Sequence, residues 1–183
     1  MTCIVGFVEG NTVWMGSDSA GVSGLTLTVR ADRKVFRNGP MLFGFTSSFR
    51  MGQLLRYALK VPHREPDIDV ELYMATTFVD AVRECLKSHG FATKENEHES
   101  GGTFLVGYQG RLFCIESDYQ VALALDGYDS CGCGSDFARG AMFATSELHG
   151  SDRIEIALRA AERGSAGVRG PFHHESLSEE ARS

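Results

Sequence analysis

Thr2, Asp18 and Lys34 are the residues whose types and spacing could do covalent chemistry in this chain. Met1 is followed by a small residue, a pattern that ordinarily allows removal of the initiator. Thr2 would then carry a free α-amine beside its own hydroxyl. An alcohol is a weak nucleophile near neutral pH and needs a base. An α-amine with an ordinary pKa of about 7.7–8.0 is a base suited to that range. One residue at the head of a chain thus supplies nucleophile and base together. A lysine beside the amine disfavours the ammonium form and lowers that pKa, and a carboxylate keeps the lysine charged and oriented. Asp18, in Gly16-Ser17-Asp18-Ser19, and Lys34, in Arg33-Lys34-Val35-Phe36, are the residues for those two roles. Read singly, each has a plainer meaning: an ordinary second residue, a turn cap and a solvated strand end.

Other reactive side chains point less far. Cys131-Gly132-Cys133 has metal-ligand character, but no second Cys or His pair stands at a matching spacing. Cys3 could act as a nucleophile only if Thr2 were also removed, and its simpler reading is a buried strand residue. His173-His174 lies in a polar stretch and reads as solvated. Gly16-Ser17-Asp18 and Gly132–Ser135 fit no phosphate loop, and no organic cofactor is called for.

The elements that must position these residues follow from pattern. Cys3–Val8 and Thr12–Met15, joined by Glu9-Gly10-Asn11, predict a hairpin at the start of the chain. Leu25–Arg30, Lys34–Phe36 and Met41–Phe45 predict further strands. Met51, Leu54, Leu55, Ala58 and Leu59 then recur at helical spacing, and Pro62 closes that helix. Leu72, Ala75, Val79, Val82 and Leu86 form a second stripe, widened by Phe78, Ala81 and Cys85, as expected of a helix packed on more than one side. Ala92–Gly101 is charged and reads as a mobile surface loop. Strands return at Thr103–Tyr108, Leu112–Ile115 and Tyr119–Leu125. A third helix follows with Phe137, Ala138, Ala141, Met142, Thr145 and Leu148 on one face. A fourth opens on Asp152 and Glu155, spaced as a capping box, with Ile154, Ala157, Leu158 and Ala161 inward. From His173 to Ser183 the chain reads as a polar tail. Strands, two helices, strands, two helices is the order of an α+β layered protein, two antiparallel sheets covered by helix pairs, and not of a doubly wound one.

Length and composition agree with one domain over 1–183. The chain has 183 residues, 43% of them hydrophobic and 23% charged. A chain of that size buries about 70% of its unfolded surface, enough for a core without metals or disulfides. The net charge of −6 is the wrong sign for a general binder of nucleic acid or anionic membrane. Five cysteines at irregular spacing exclude a disulfide framework. No apolar run reaches the length of a membrane span, and the apolar run from Cys3 to Val8 is too short for a signal peptide. A reducing cytoplasm is the expected location.

Taken together, the motifs resemble the proteasome β-subunit and HslV family of N-terminal-nucleophile hydrolases. TCIVGFVEGNTVWMGSDSAGVSG is similar to that family's N-terminal hairpin, and Asp18 and Lys34 stand sixteen and thirty-two residues beyond Thr2, at the family's offsets. LFGFTSS resembles its oxyanion segment, which assigns the backbone N–H of Ser47 to the oxyanion hole. CGCGSDFARGAMFAT resembles the segment opening the third helix. Ser135 matches one of that segment's serines, and Cys133 stands where the family has another. ALRAAERGSAGVRGPF is similar to the closing segment, with Gly164-Ser165-Ala166-Gly167 in place of an acidic turn. Gly21, Asp32, Phe45 and Phe49 match positions lining the first specificity pocket and imply an apolar side chain before the cleaved bond. The resemblance implies a four-layer αββα sandwich and a threonine peptidase acting on polypeptides. It further implies a homo-oligomeric ring or helical array, with room for an unfolding ATPase partner. A small-molecule amidase of the same fold, or an inactive structural subunit, are the alternatives.

Overall fold

A computed structural model describes residues 1–95 and 98–179 of the chain. Six strands come first: β1 (Cys3–Glu9), β2 (Thr12–Ser17), β3 (Ala20–Ser23), β4 (Thr26–Val29), β5 (Val35–Asn38) and β6 (Met41–Phe45). Helix α1 (Phe49–Tyr57) is followed by α2 (Val70–Tyr73), which continues through a π-helical turn, Met74–Phe78, into α3 (Val79–Ser88). Then come β7 (Thr93–Glu95), β8 (His98–Ser100), β9 (Phe104–Tyr108), β10 (Arg111–Ile115), β11 (Val121–Leu123) and β12 (Tyr128–Gly132). Helices α4 (Ser135–Ala144) and α5 (Gly150–Gly164) precede the last strand, β13 (His173–Ser178).

One antiparallel sheet has the order β12-β1-β2-β13 and the other β11-β10-β9-β6-β5. Strand alternation sorts their side chains into three cores. In β1, Cys3, Val5 and Phe7 pack with Ala138, Met142, Ile154 and Leu158 of α4 and α5. Ile4, on the opposite face, joins Met15, Val35, Leu42 and Leu105 between the two sheets. In β6, Met41, Phe43 and Phe45 pack with Leu54, Phe78 and Val82 of the other helix pair. The result is an αββα sandwich, each sheet covered by helices on its outer face. Phe43 is fully buried, which contributes about 2–3 kcal/mol over leaving such a ring in water. Gly44 sets the spacing of the sheets: a Cβ there would lie 2.5 Å from both Ile4 and Met15 side chains.

Several expectations are corrected. The second helical stripe is out of phase at its start. Val79, Val82 and Leu86 point inward as expected, but Leu72 is 54% exposed, Ala75 is exposed, and Tyr73 and Met74 take the interior. The π-turn is the cause. Val79 N–H donates to Met74 C=O, five residues back, and the extra residue in that turn rotates everything before it by about one position. Helix α1 ends at Tyr57, short of Leu59. The capping box at Asp152 does not form: α5 begins at Gly150 with His149 as its cap, and Glu155 pairs with Arg159 at 2.8 Å. Within Ala92–Gly101, the backbone forms the β7–β8 hairpin where a mobile loop was expected; Glu97 lies outside the described residues. His173–Ser178 is not a tail but an edge strand paired with β2 from His173↔Ser17 to Ser178↔Thr12. Its polarity suits an edge with one solvated side. Residues 180–183 lie outside the described residues. β12 was not foreseen, because Tyr128-Asp-Ser-Cys-Gly has no apolar alternation.

Candidate active site

The β1–β2 hairpin carries Thr2 at its start and Asp18 at its end, so antiparallel pairing sets them side by side: Ile4 is opposite Ser17. Lys34 arrives from the other sheet, one residue before β5. The three side chains meet between the layers. Lys34 Nζ donates to Thr2 Oγ1 at 2.9 Å and to Asp18 Oδ1 at 2.7 Å. Thr2 is 5% exposed, Asp18 0% and Lys34 1%. Asp18 is held from every side. Its Oδ1 also accepts from Cys3 N–H at 3.0 Å, and its Oδ2 accepts from Ala20 N–H at 2.9 Å and Arg169 N–H at 3.3 Å.

Burial draws the Lys34 ammonium below the ordinary lysine value, and the Asp18 carboxylate opposes that shift. The sign of the linkage follows. With its folded pKa below 10.5, the unfolded chain binds this proton in excess between the two values. This group therefore makes stability rise as pH climbs through that window towards 10.5. Urea unfolding of the wild type and of Lys34→Met should show a difference that moves in favour of the wild type as pH is raised over that range. A difference that stays flat or moves the other way would contradict the assignment.

The nitrogen side of Thr2 faces Cys133 and the loop after α5. Thr2 N–H donates to Cys133 Sγ at 3.3 Å, and Ser165 Oγ donates to the same sulfur at 3.3 Å. Ser165, which the sequence pattern gave only as a departure, is thus part of this side of the site. Ser135 is not: its hydroxyl turns to Asp136 at 3.5 Å. Gly132 was also unforeseen. It has φ of +98°, and a Cβ there would lie 2.3 Å from the Thr2 carbonyl oxygen, so only glycine lets β12 approach the residue so closely. With Met1 attached, Thr2 Oγ1 donates to the Met1 carbonyl at 2.5 Å and the Thr2 nitrogen is an amide, which is not a base.

On the hydroxyl side, Ser47 follows β6 with φ of +64°, a conformation rare for a residue with a side chain. Its Oγ accepts from Thr103 N–H at 3.1 Å, which helps hold that turn. Among the described residues no acceptor pairs with the Ser47 backbone N–H. Ser47 lines a narrow cleft of about 60 Å³ with Thr2, Val22, Phe45 and Phe49. Phe45 and Phe49 also wall a larger cavity of about 380 Å³, where Asp32 is found. Gly21 lies apart from it, on a third cavity of about 180 Å³ that shares only Phe49. Beyond Cys133 a fourth, of about 430 Å³, is lined by Ser135, Arg139 and Glu116.

The other cysteines are removed from this chemistry. Cys3 is buried, and desolvation pushes its thiol up to about 12. Cys131 is buried between the sheets, with its thiol raised far above the ordinary value for the same reason. Cys133 is exposed beside Thr2, so the two do not form a chelating pair. Among the described residues no three His, Cys, Asp or Glu side chains converge to hold a metal ion, and no helix is long and apolar enough to cross a membrane.

The sequence matches no protein-family model and no curated protein. Solved structures do match. The chain is similar to BPH of Thiobacillus denitrificans, solved in complex with epoxomicin, at 16% identity and a TM-score of 0.80 over 98% of this chain and 100% of that one. Eukaryotic HslV from Trypanosoma brucei matches at 20% identity and 0.66, over 97% and 100%. Anbu, an ancestral β-subunit from Yersinia bercovieri, matches at 17% and 0.66, over 97% and 82%. At these identities the likeness is one of fold, and it bears out the α+β, four-layer architecture of the proteasome and HslV type.

Proposed function

We propose that this chain is a threonine-type peptidase of a proteasome-like assembly, with Thr2 the nucleophile once Met1 is removed. The observation that carries this reading is the buried Lys34 ammonium bonded at once to the Thr2 hydroxyl and the Asp18 carboxylate. A charged amine so placed favours the neutral form of an α-amine at Thr2 and supports an alkoxide developing at Oγ1. In the reaction, Oγ1 attacks the carbonyl carbon of an amide, and its proton passes to the Thr2 amine. The Ser47 N–H stabilises the oxyanion, a contribution of about 10²–10³ in rate where one such donor has been removed from other enzymes. The intermediate collapses with the proton delivered to the leaving amine, and water then hydrolyses the ester on Thr2. Cys133, steadied by Ser165, orients the amine.

Cavities on both sides of Thr2 favour an extended peptide over a small amide. Phe143, 77% exposed on α4, and Leu72 on α2 leave apolar surface of the kind that copies of a chain cover in an assembly. Such contacts close into a ring, or run on as a helical array, according to their rotation. An unfolding ATPase would then supply polypeptide to an enclosed site.

Intact-mass measurement and sedimentation test the proposal. Protein from its natural host should lack Met1 and sediment well above 20.0 kDa. Epoxomicin, the compound in the BPH complex, should bind that protein and bind Thr2→Ala more weakly. A chain that keeps Met1 and does not bind it is instead a structural subunit. A clean monomer at micromolar concentration with full activity is the small-molecule amidase.

A further inference from the structure

The cavity of about 380 Å³ that shares Phe45 and Phe49 with the Thr2 cleft has aromatic walls and a cationic side. Phe36, Phe45 and Phe49 supply its aromatic walls, and Asp32, Arg33 and Arg56 its charges. Those charges are not equivalent. Asp32 is spent on Arg30, whose Nε donates to its Oδ2 at 2.6 Å, while the Arg30 guanidinium lies 3.9 Å from the Phe49 ring centre. Arg33 faces Glu175 at 3.4 Å. Arg56, half-buried in the last turn of α1, stacks 4.5 Å from the Phe36 ring centre and 5.8 Å from that of Tyr57. Among the described residues it has no carboxylate partner. A guanidinium stacked by its face keeps its N–H edge free, in a fork that fits a carboxylate.

Of the three charged side chains that line this cavity, two are cationic, Arg33 and Arg56, and one is anionic, Asp32, in a chain whose net charge is −6. With Asp32 taken up by Arg30, the charge left beside the cleft is positive and attracts acidic ligands. The cavity also lies on a defined side of the reaction. The leaving amine takes its proton from the Thr2 nitrogen and so departs on the Cys133 side. The residue whose carbonyl is attacked lies towards Ser47, where the walls Phe45 and Phe49 are shared between cleft and cavity.

We infer, building on the peptidase reading, that this cavity selects a glutamate as the residue whose carbonyl is attacked, with Arg56 as the specificity-determining residue. The aliphatic stem of glutamate lies along the phenylalanines and its carboxylate reaches the Arg56 fork. This amends the sequence expectation of a purely apolar side chain at that position.

The test uses fluorogenic peptide amides that differ only in that residue: Glu, Leu or Lys. It has two readouts: kcat/KM with the processed protein, and equilibrium binding of the same peptides to Thr2→Ala by fluorescence anisotropy. Glu should lead in both. Arg56→Gln should lower the Glu-to-Leu ratio by about tenfold or more, the scale of one hydrogen bond to a charged group, and Arg56→Glu should favour Lys over Glu. Leu leading in the wild type, or a ratio that Arg56→Gln leaves unmoved, overturns the inference while cleavage itself keeps the peptidase reading. Binding that depends on Arg56 without any cleavage keeps the pocket and removes the nucleophile. No cleavage and no Arg56-dependent binding removes both.

Discussion

Thr2→Ala should lower peptide hydrolysis by about 10³-fold or more, because it removes the attacking oxygen outright and leaves only binding and oxyanion contacts. The fold should survive. The hydroxyl contributes one bond from Lys34 and one to Met1, whereas the backbone of the strand that follows is paired on both sides. Thr2→Ser keeps amine and hydroxyl and should retain measurable turnover. The comparison is of kcat/KM with a fluorogenic peptide, alongside urea unfolding to verify that the variants are native. Turnover by Thr2→Ala at the wild-type rate would sink the mechanism and move the search for a nucleophile elsewhere.

Asp18→Ala should be the more damaging of the two substitutions in the buried ion pair. It leaves the Lys34 ammonium, 1% exposed, without its counter-charge. It also strips the acceptor from the N–H groups of Cys3, Ala20 and Arg169. Leaving a buried charge unpaired costs about 3–5 kcal/mol, a large part of a typical stability of about 5–15 kcal/mol. Lys34→Met removes the cation but leaves Asp18 with those backbone donors, so its cost is smaller. Urea midpoints should therefore fall further for Asp18→Ala than for Lys34→Met, while peptide hydrolysis is lost in both. The reverse order of midpoints would mean that the lysine, and not the aspartate, organises the pair.

The residues at the centre of the site were legible because their chemistry is local. A threonine near the chain start, an aspartate after a hairpin and a lysine before a strand meet whenever the two sheets stack, and β1, β2 and β6 announced themselves through short apolar runs bounded by turn residues. What escaped the sequence depends on contacts between distant segments. Ser165 acquires a role only because the loop after α5 reaches Cys133, and Gly132 only because β12 pairs with β1 through Cys3. β12 and β13 are strands by virtue of the neighbours they pair with, and carry no periodicity of their own. The π-turn in the α2–α3 helix is invisible to a regular 3.6-residue count, which is why Leu72 and Ala75 were assigned inward. Arg56 carries no signal of its own in the sequence, since its meaning lies in the ring it covers and the partner it lacks. The capping-box spacing at Asp152 is common by chance, and the helix begins two residues earlier.

The strand β1 has partners on both edges, β12 from Cys3↔Gly132 and β2 from Ile4↔Ser17. Chain ends usually fray, exchanging their amide hydrogens through small local openings that cost little. Here the stretch that follows Thr2 is an inner strand between two cores, so it cannot be set loose without separating sheets and stripping Val5 and Phe7 from the helices. The amides of Ile4 to Phe7 should exchange only in the slowest class, through opening of the whole molecule. Loss of the active geometry and loss of the native state then become one event, so residual activity in denaturant doubles as a count of folded molecules.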